Sequence, residues 1–273
     1  PWSPNDPLSQ AQLSALDQKT AIQWLRSVDP QLHPHIEEYF QVYAWSSFGG
    51  SLDELSAAQF LNFAAAETQG VMAFAGGNAA IAAALHANLL RVLPAGSLAS
   101  NSIVLEVKEV PGGVEVLYEN TKGALRLVKA RSVVFAAPKY VAKGIVKNLA
   151  PAQASAWKSM NYRAYVVANV LLKRKVDPKA FDLFRLQGKV PETPSFGRKP
   201  ARAFTDLVFA DWASRGKATQ SVLTVYKPLP YDGARNSLVD AHARILRELE
   251  TEMAQTLPLL GIPASELAGI RLT

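Results

Sequence analysis

The chain has 273 residues, of which 49% are hydrophobic and 19% are charged, and its formal net charge is +6. This composition excludes a disordered chain and allows a sizeable core, in one large domain or two small ones. The absence of cysteine excludes disulfides, thiolate nucleophiles and metal sites with cysteine ligands. No run reaches the roughly 18 apolar residues that predict a membrane span.

The first part of the chain predicts helices. Ser9 followed by Gln12, and Ser56 followed by Gln59, are typical of capping boxes, in which the serine oxygen accepts from a backbone N–H of the first turn. Apolar residues recur at near-helical spacing after each of these starts. The pair Gly49-Gly50 is expected to end the helix that precedes it.

The middle of the chain predicts strands after an alanine-rich helix. Ser102–Val107 and Val114–Tyr118 alternate as the two arms of a hairpin, and Leu125–Val128 follows as a third strand. Ser132–Ala137 is a continuous apolar run, which predicts a strand buried on both faces. Pro138 is expected to stop this strand and to begin a short helix.

The last third predicts a sheet and one helix. Four apolar runs indicate strands at Tyr165–Leu172, Phe181–Leu186, Phe204–Phe209 and Ser221–Tyr226. The helix is expected to begin at Ser237 and to end at Pro258. The order of elements therefore predicts an α+β fold, divided into residues 1–75 (helical), 76–150 (helix, hairpin and buried strand) and 151–273 (mixed sheet and helix).

Common catalytic and metal motifs are absent from the sequence. No two of the 16 glycines are two residues apart, which excludes the G-x-G-x-x-G loop that cradles a dinucleotide. The signatures G-x-S-x-G and H-E-x-x-H do not occur. His33 and His35 form an H-x-H pair without a third ligand nearby, so no metal site is predicted.

The positive charge is concentrated in the segment Lys173–Arg202, which holds nine basic and three acidic residues. Such a segment is more often a solvated surface, and it is also compatible with binding of an anionic partner. A non-catalytic module that binds an anionic partner through this segment is therefore an alternative function.

The order of three segments resembles the middle of the flavin amine oxidases and their relatives, which include carotenoid desaturases and protoporphyrinogen oxidases. Phe74–Asn78 precedes a helix, Val104 lies in the strand that follows, and the apolar strand Val133–Ala137 ends at Pro138. The resemblance implies an FAD-dependent oxidoreductase that transfers a hydride from a substrate carbon to FAD. It implies FAD contacts at Val104, Ala137, Pro138, Gly76 and Gly77.

The resemblance also divides the chain by role. Residues 1–75 and 151–273 would form the substrate domain, and residues 76–150 would form a small β-rich part of the FAD-binding domain. Aromatic residues are candidates for the wall of the substrate cavity, although such rings also fill cores. The candidates are Trp45, Phe48, Phe63 and Trp212.

The sequence departs from the family in two ways. It lacks the glycine-rich N-terminal FAD motif and the C-terminal FAD segment, so the segment alone is expected to bind FAD weakly and to be inactive without these missing parts of the same protein. Many amine oxidases carry a lysine where Val167 stands, and Lys173 is about 20 Å further along an extended strand. The resemblance therefore implies an FAD-dependent oxidoreductase in general, and leaves room for desaturation or oxidation of a C–H or C–C substrate beside amine oxidation. Neither a nucleic-acid partner nor a membrane span is predicted.

Overall fold

The computed structural model describes residues 7–67, 70, 72, 74–177, 180–186, 202–211, 218–230 and 241–272. The chain forms two compact units, of which unit 1 comprises residues 1–80 and 163–273 and unit 2 comprises residues 81–162. Helices and two antiparallel sheets make up these units, which confirms the predicted α+β fold.

Unit 1 begins with four helices. They are α1 (Pro7–Asp17), α2 (Ala21–Val28), α3 (Pro34–Phe48) and α4 (Ala57–Glu67). Gly49 ends α3 in the left-handed conformation, at a φ of 66°, which confirms the predicted break because glycine has no Cβ to clash there. Ser56 Oγ accepts from Gln59 N at 3.4 Å, so the predicted start of α4 is also confirmed. The first helix begins at Pro7 and not at Ser9.

The five-stranded sheet of unit 1 has the order β5-β6-β7-β4-β8, and every described pair in it is antiparallel. Its strands are β4 (Tyr165–Leu172), β5 (Asp182–Phe184), β6 (Asp206–Phe209), β7 (Val222–Pro228) and β8 (Leu267–Leu272). A 3-10 helix, Ala264–Glu266, precedes β8. The remaining helix of unit 1 is α8 (Ala241–Leu259), whose predicted start at Ser237 lies outside the described residues.

One face of this sheet packs against α8. Ile245, Leu249, Met253 and Leu257 recur every four residues along the helix and are buried. They meet alternate strand residues, such as Ala168, Val170 and Leu172 of β4, that point to the same face. A second core joins α2, α3 and α4.

Unit 2 contains α5 (Ala79–Val92) from its third residue onward and a three-stranded sheet. The strands are β1 (Ile103–Val110), β2 (Gly113–Glu119) and β3 (Leu125–Ala130), followed by α6 (Lys139–Ile145) and α7 (Pro151–Ser159). The predicted hairpin is confirmed, since β1 and β2 pair antiparallel about Gly112. A Cβ on Gly113 would lie 2.3 Å from the carbonyl oxygen of Ala130, so only glycine allows β3 to approach this closely.

The buried strand predicted over Ser132–Ala137 is absent from this structure. Residues 132–136 belong to no strand, and the side chain of Val134 is 92% exposed. A strand needs neighbours that pair with its N–H and C=O groups, and the described sheet of unit 2 ends at β3. The apolar run is therefore present without the partners that would make it a buried strand.

Unit 2 leaves much of its apolar surface uncovered. Among its described apolar residues only Val107 and Ala142 are buried, whereas Ile81, Leu85 and Leu89 are exposed along one side of α5. Exposed apolar patches of this kind mark interaction sites. Within the described part of the chain, no helix has the length and apolar character that crossing a membrane requires.

Candidate functional site

The sheet of unit 1 has a second face that carries carboxyl and tyrosine side chains. Because side chains alternate along a strand, the residues that do not point towards α8 lie together on the opposite face of the sheet. Val167 of β4 lies opposite Tyr226 of β7, and Phe184 of β5 lies opposite Asp206 of β6. We call this the carboxylate–tyrosine face and define it as Tyr165, Val167, Asp182, Phe184, Asp206 and Tyr226.

Helix α3 is fastened to the carboxylate–tyrosine face by hydrogen bonds at one residue. Ser46 Oγ donates to Asp206 Oδ1 at 2.7 Å, and the hydroxyl of Tyr165 donates to the carbonyl oxygen of Ser46. Thr205 Oγ1 also donates to Asp206 Oδ1, at 2.6 Å. The Tyr165 ring lies 5.6 Å from the ring of Tyr226, so the tyrosines and the buried carboxyl form one connected group.

An aromatic cluster adjoins this face. The rings of Phe48 and Phe63, two predicted cavity residues, lie 5.0 Å apart in an edge-to-face arrangement. Tyr43 links them to the sheet, because its ring lies 5.9 Å from Phe63 and 6.4 Å from Phe184. Phe48 and Phe63 are half-buried, and their place in a cavity wall stays a prediction. The predicted cavity residue Trp212 lies outside the described residues.

Trp45, the remaining predicted cavity residue, is buried, with 1% of its surface exposed. Its indole N–H has no hydrogen-bond partner among the described residues. The guanidinium of Arg163 lies 6.0 Å from the centre of its ring and makes an ion pair of 2.7 Å with Glu54. Trp45 is therefore buried in this structure, and its place in the wall of a substrate cavity stays a prediction from the sequence.

Three carboxyl groups interact electrostatically in this region. Burial raises the pKa of Asp206 and the charge of Asp182 raises it further, although the hydrogen bonds from Thr205 and Ser46 lower it. Burial likewise raises the pKa of Asp182, with a second contribution from the charge of Glu67. Within the described ranges, no lysine or arginine forms an ion pair with any of the three.

The tyrosines respond to the same negative field. Burial and a hydrogen bond of 2.7 Å to Glu67 Oε2 raise the pKa of Tyr43 far above its ordinary value. Burial, followed by the charges of Asp206 and Asp182, raises the pKa of Tyr226. Neutral tyrosines beside carboxyls without a positive partner form a site that can hold a cation, through charge attraction and through the faces of the rings.

Two predicted FAD contacts come together in unit 2. Val104 and Ala137 both line an apolar cavity of about 440 Å³, together with other valines of β1 and β2 and the run that follows β3. A bulge between Val104 and Glu106 leaves Leu105 without a partner on β2. Pro138 lies next to this cavity as the residue that precedes the first turn of α6.

The other predicted FAD contacts, Gly76 and Gly77, lie in unit 1 at the start of α5. Both have a positive φ, 92° for Gly76 and 58° for Gly77, which residues with a Cβ adopt rarely. Gly77 N donates to the carbonyl oxygen of Phe74 at 2.9 Å, and Ala80 N donates to that of Gly77 at 3.0 Å. The predicted tight turn before the helix is therefore confirmed.

The basic segment Lys173–Arg202 carries several internal partners where it is described. Lys173 Nζ donates to the carbonyl oxygen of Ser265 at 2.6 Å, which holds it away from Val167. Arg174 pairs with Glu266 at 3.2 Å, and Arg185 and Arg202 both pair with Glu252 of α8. The lysines and the arginine at 179, 189, 198 and 199 lie outside the described residues.

Sequence reasoning did not identify the carboxyls and tyrosines of this site. Tyr43, Glu67, Asp182 and Asp206 belong to four different elements, so no short motif contains them. One signal was available, because Asp206 opens a strand that is otherwise apolar and buried. In the described part of the chain, no group of three or more His, Cys, Asp or Glu residues is arranged to hold a metal ion.

Solved structures share this fold over the length of the chain. Putrescine oxidase bound to putrescine superposes with a TM-score of 0.64 at 13% identity, over 98% of this chain and 55% of its own. An oxidoreductase from Methanosarcina mazei superposes with a TM-score of 0.65 at 12% identity, over 99% of this chain and 61% of its own. A protein from Pyrococcus furiosus superposes with a TM-score of 0.63 at 11% identity, over 98% of this chain and 62% of its own.

These likenesses establish a shared fold. The chain adopts the architecture of part of these proteins and spans about 55 to 62% of their length. No protein-family model and no curated protein matches the sequence. Identities of 11 to 13% carry no residue roles over to this chain, so the roles of the site residues must be argued from the geometry.

Proposed function

We propose that this chain is the substrate-binding part, with a portion of the flavin cradle, of an FAD-dependent oxidoreductase that oxidises a small organic molecule. The observation that carries the proposal is the fold, which follows putrescine oxidase over 98% of the chain. FAD, when bound, accepts a hydride from a substrate carbon, so that the substrate loses two electrons and its C–H bond. The residues of this chain bind and orient that substrate.

The residues around the apolar cavity of unit 2 fit a role in holding FAD. A volume of about 440 Å³ lies within the usual range of small-molecule sites, roughly 300–1,000 Å³. β1 is the edge strand of its sheet among the described strands, and Leu105 has no partner on β2, so backbone groups beside Val104 remain open to a ligand. Val104, Ala137 and Pro138 would contact the cofactor here, whereas an FAD contact at Gly76 and Gly77 of unit 1 stays a prediction from the sequence.

The carboxylate–tyrosine face and the aromatic cluster support a substrate that bears a positive charge. Asp206 is buried and has no cationic partner among the described residues, so its ionised form lacks compensation in the free protein. A bound ammonium group would supply the missing charge, and the rings of Tyr43 and Phe63 would cover the carbon chain. Val167 cannot hold a water molecule at the flavin, so the proton of the substrate must leave by another route.

The exposed apolar surface of unit 2 supports a requirement for a further segment. Leu85 and Leu89 of α5, together with Val134, would be covered by the nucleotide-binding segment that carries the glycine-rich motif. That segment would also give the run 132–137 the strand neighbours that it lacks here. The chain is therefore expected to act only beside it.

Flavin content tests the central claim. The polypeptide that contains this chain, purified together with its nucleotide-binding segment, should show the visible absorption bands of an oxidised flavin and release FAD on denaturation. Val104→Asp should lower the ratio of FAD to protein, whereas Val128→Asp, on the exposed strand β3, should leave it unchanged. A colourless protein without extractable FAD overturns the proposal.

Flavin reduction tests the substrate class. Putrescine is the probe, because a solved structure of the same fold binds it. Under anaerobic conditions Asp206→Asn should raise the putrescine concentration for half-maximal reduction about tenfold, the loss expected for one charge-assisted contact. The exposed Asp53→Asn is the control. If an uncharged alcohol of the same length reduces the flavin equally well, a cationic substrate is ruled out while the flavoenzyme proposal stands.

A further inference from the structure

A groove on the outer side of α8 carries an excess of positive charge. Its volume is about 550 Å³, and it lies where the helix passes the end of β7 and the segment before β6. Four basic and two acidic side chains line it, so its described lining has two positive charges in excess. These residues are Arg202, Lys227, Arg244, Arg247, Glu248 and Glu252.

The acidic residues hold the basic ones in place. Glu248 pairs with Lys227 at 3.0 Å and with Arg244 at 3.0 Å, and Glu252 pairs with Arg202 at 3.2 Å. Each carboxylate therefore serves more than one cation, since Arg185 also reaches Glu252, at 2.6 Å. Although burial raises the pKa of Glu248, the hydrogen bonds and charges of Lys227 and Arg244 lower it below its ordinary value, so this carboxyl is ionised at neutral pH.

Lys227 is the most firmly positioned cation of the groove. Its side chain is only 12% exposed, and its ammonium group also donates to the carbonyl oxygen of Ala203 at 3.2 Å. Arg247 lies one helical turn before Thr251 on the exposed side of α8, and none of the described ion pairs involves it. The groove thus combines a fixed ammonium with guanidinium groups that can turn towards a ligand.

We propose that this groove binds the phosphate group of a ligand. A phosphate monoester carries close to two negative charges at neutral pH, which matches the excess of the lining, and a phosphodiester headgroup carries one. Arginine forks and lysine ammonium groups are the usual partners of both. The carboxyls Glu248 and Glu252 are already engaged with cations, so they repel an incoming anion less than free carboxylates would. This site is separate from the carboxylate–tyrosine face, because it lies on α8 at the opposite side of the sheet, and it does not depend on the proposed function.

Two sources could present a phosphate, a soluble phosphate ester and a lipid headgroup, and the experiment separates them. The 273-residue chain is titrated with pyrophosphate by calorimetry, and its binding to phosphatidylcholine vesicles is measured with and without phosphatidylglycerol. Saturable pyrophosphate binding without retention on vesicles identifies a soluble ester. Retention only on phosphatidylglycerol vesicles, with weak pyrophosphate binding, identifies a headgroup, and both results support the phosphate site.

The variants locate the binding. The double variant Arg244→Gln with Arg247→Gln should weaken binding of the phosphate probe about tenfold or more. Thr251→Glu leaves the ion pairs intact and should also weaken this binding, because it places a negative charge in the groove. Arg126→Gln with Arg131→Gln makes the same change in net charge on exposed residues of unit 2 and should bind like the unaltered chain. The proposal is overturned if neither probe binds, or if the control pair loses as much affinity as the groove variants do.

Discussion

Ser46 Oγ donates a hydrogen bond of 2.7 Å to Asp206 Oδ1, and this contact joins helix α3 to the five-stranded sheet. The two residues are 160 positions apart in the sequence, and Asp206 is buried. A buried carboxyl must be hydrogen-bonded to be tolerated in the interior. The contact therefore holds the carboxylate–tyrosine face against the helix that carries Tyr43 and Phe48.

Removing the donor should destabilise unit 1. Ser46→Ala leaves Asp206 with Thr205 as its described side-chain donor, and we expect the free energy of unfolding to fall by about 1–3 kcal/mol. Ser27→Ala is the matched control, because Ser27 Oγ makes only an exposed bond to the carbonyl oxygen of Trp24. Urea denaturation measures both. Equal stability of the two variants would show that the Ser46 bond contributes nothing.

The raised pKa of Asp206 should make its ionisation unfavourable for folding. An aspartate in the unfolded chain titrates near about 3.9. The folded value is higher, mainly because of burial, so the native state binds more protons between the two values. The stability that Asp206 provides is thus complete below the unfolded pKa and is lost as the pH rises through the folded pKa.

Asp206→Asn removes this titration and keeps an oxygen that accepts from Ser46. Its free energy of unfolding, relative to the unaltered chain, should therefore increase as the pH rises from about 4 to 7. Asp182→Asn should lower the pKa of Asp206, since the charge of Asp182 contributes to raising it. Carboxyl NMR titration of Asp206 measures the second effect. A stability difference that does not vary with pH would contradict the assignment.

The ion pair of Glu54 and Arg163 has the opposite pH dependence. Burial raises the pKa of Glu54. The backbone hydrogen bond at Ser51 and the contacts with Arg163 together lower this pKa by more than burial raises it, so the net shift is downward. Its contribution to stability is present above the unfolded pKa and is lost as the pH falls through the folded pKa. Arg163→Met should cost about 1–3 kcal/mol at pH 7 and less in acid.

Lys129→Met is the control for this pair. Lys129 makes an ion pair of 3.0 Å with Glu115, but 74% of its side chain is exposed, so we expect a cost below about 1 kcal/mol. Urea denaturation at several pH values distinguishes the two pairs. If Arg163→Met cost as little as Lys129→Met, the Glu54–Arg163 pair would be an ordinary surface contact.

The exposed apolar side of α5 should tolerate charge in this chain. Leu85 is 60% exposed, so Leu85→Glu should change the free energy of unfolding by less than about 0.5 kcal/mol and reduce binding of a dye that reports apolar surface. Leu249→Ala, in the fully buried core beneath α8, should cost about 2–5 kcal/mol. Unfolding caused by Leu85→Glu would mean that this side of α5 is packed.

The predictions from sequence succeeded where the cause is local. Gly49 ends a helix because its backbone adopts a conformation that suits glycine, and Ser56 begins one because its hydroxyl reaches the next turn. The capping box of Thr20 and Gln23 obeys the same rule but was not predicted, because Ile22 and Leu25 continue the apolar spacing that begins in the preceding helix. The run 132–137 failed as a strand because apolar character specifies burial only when a partner is present.

The candidate site could be predicted only in part for a related reason. Phe48 and Phe63 belong to neighbouring helices and were identified by residue type alone. Asp182 and Asp206 lie on strands whose pairing decides which face they share, and that pairing is a property of the sheet. Whether a carboxyl has a positive partner depends on the whole fold, so the raised pKa values of Asp182 and Asp206 could not be predicted from the sequence.

The discontinuous course of unit 1 has a consequence for the synthesis of the protein. Helices α1 to α4 are complete at Glu67, but β4 begins only at Tyr165, after all of unit 2 has been made. At about 5–20 residues per second, a ribosome takes on the order of 5 to 20 seconds to cross that interval. During this time the rings of Tyr39 and Tyr43 lack their later contact with Phe184 of β5, so this side of α3 stays uncovered until the sheet is made.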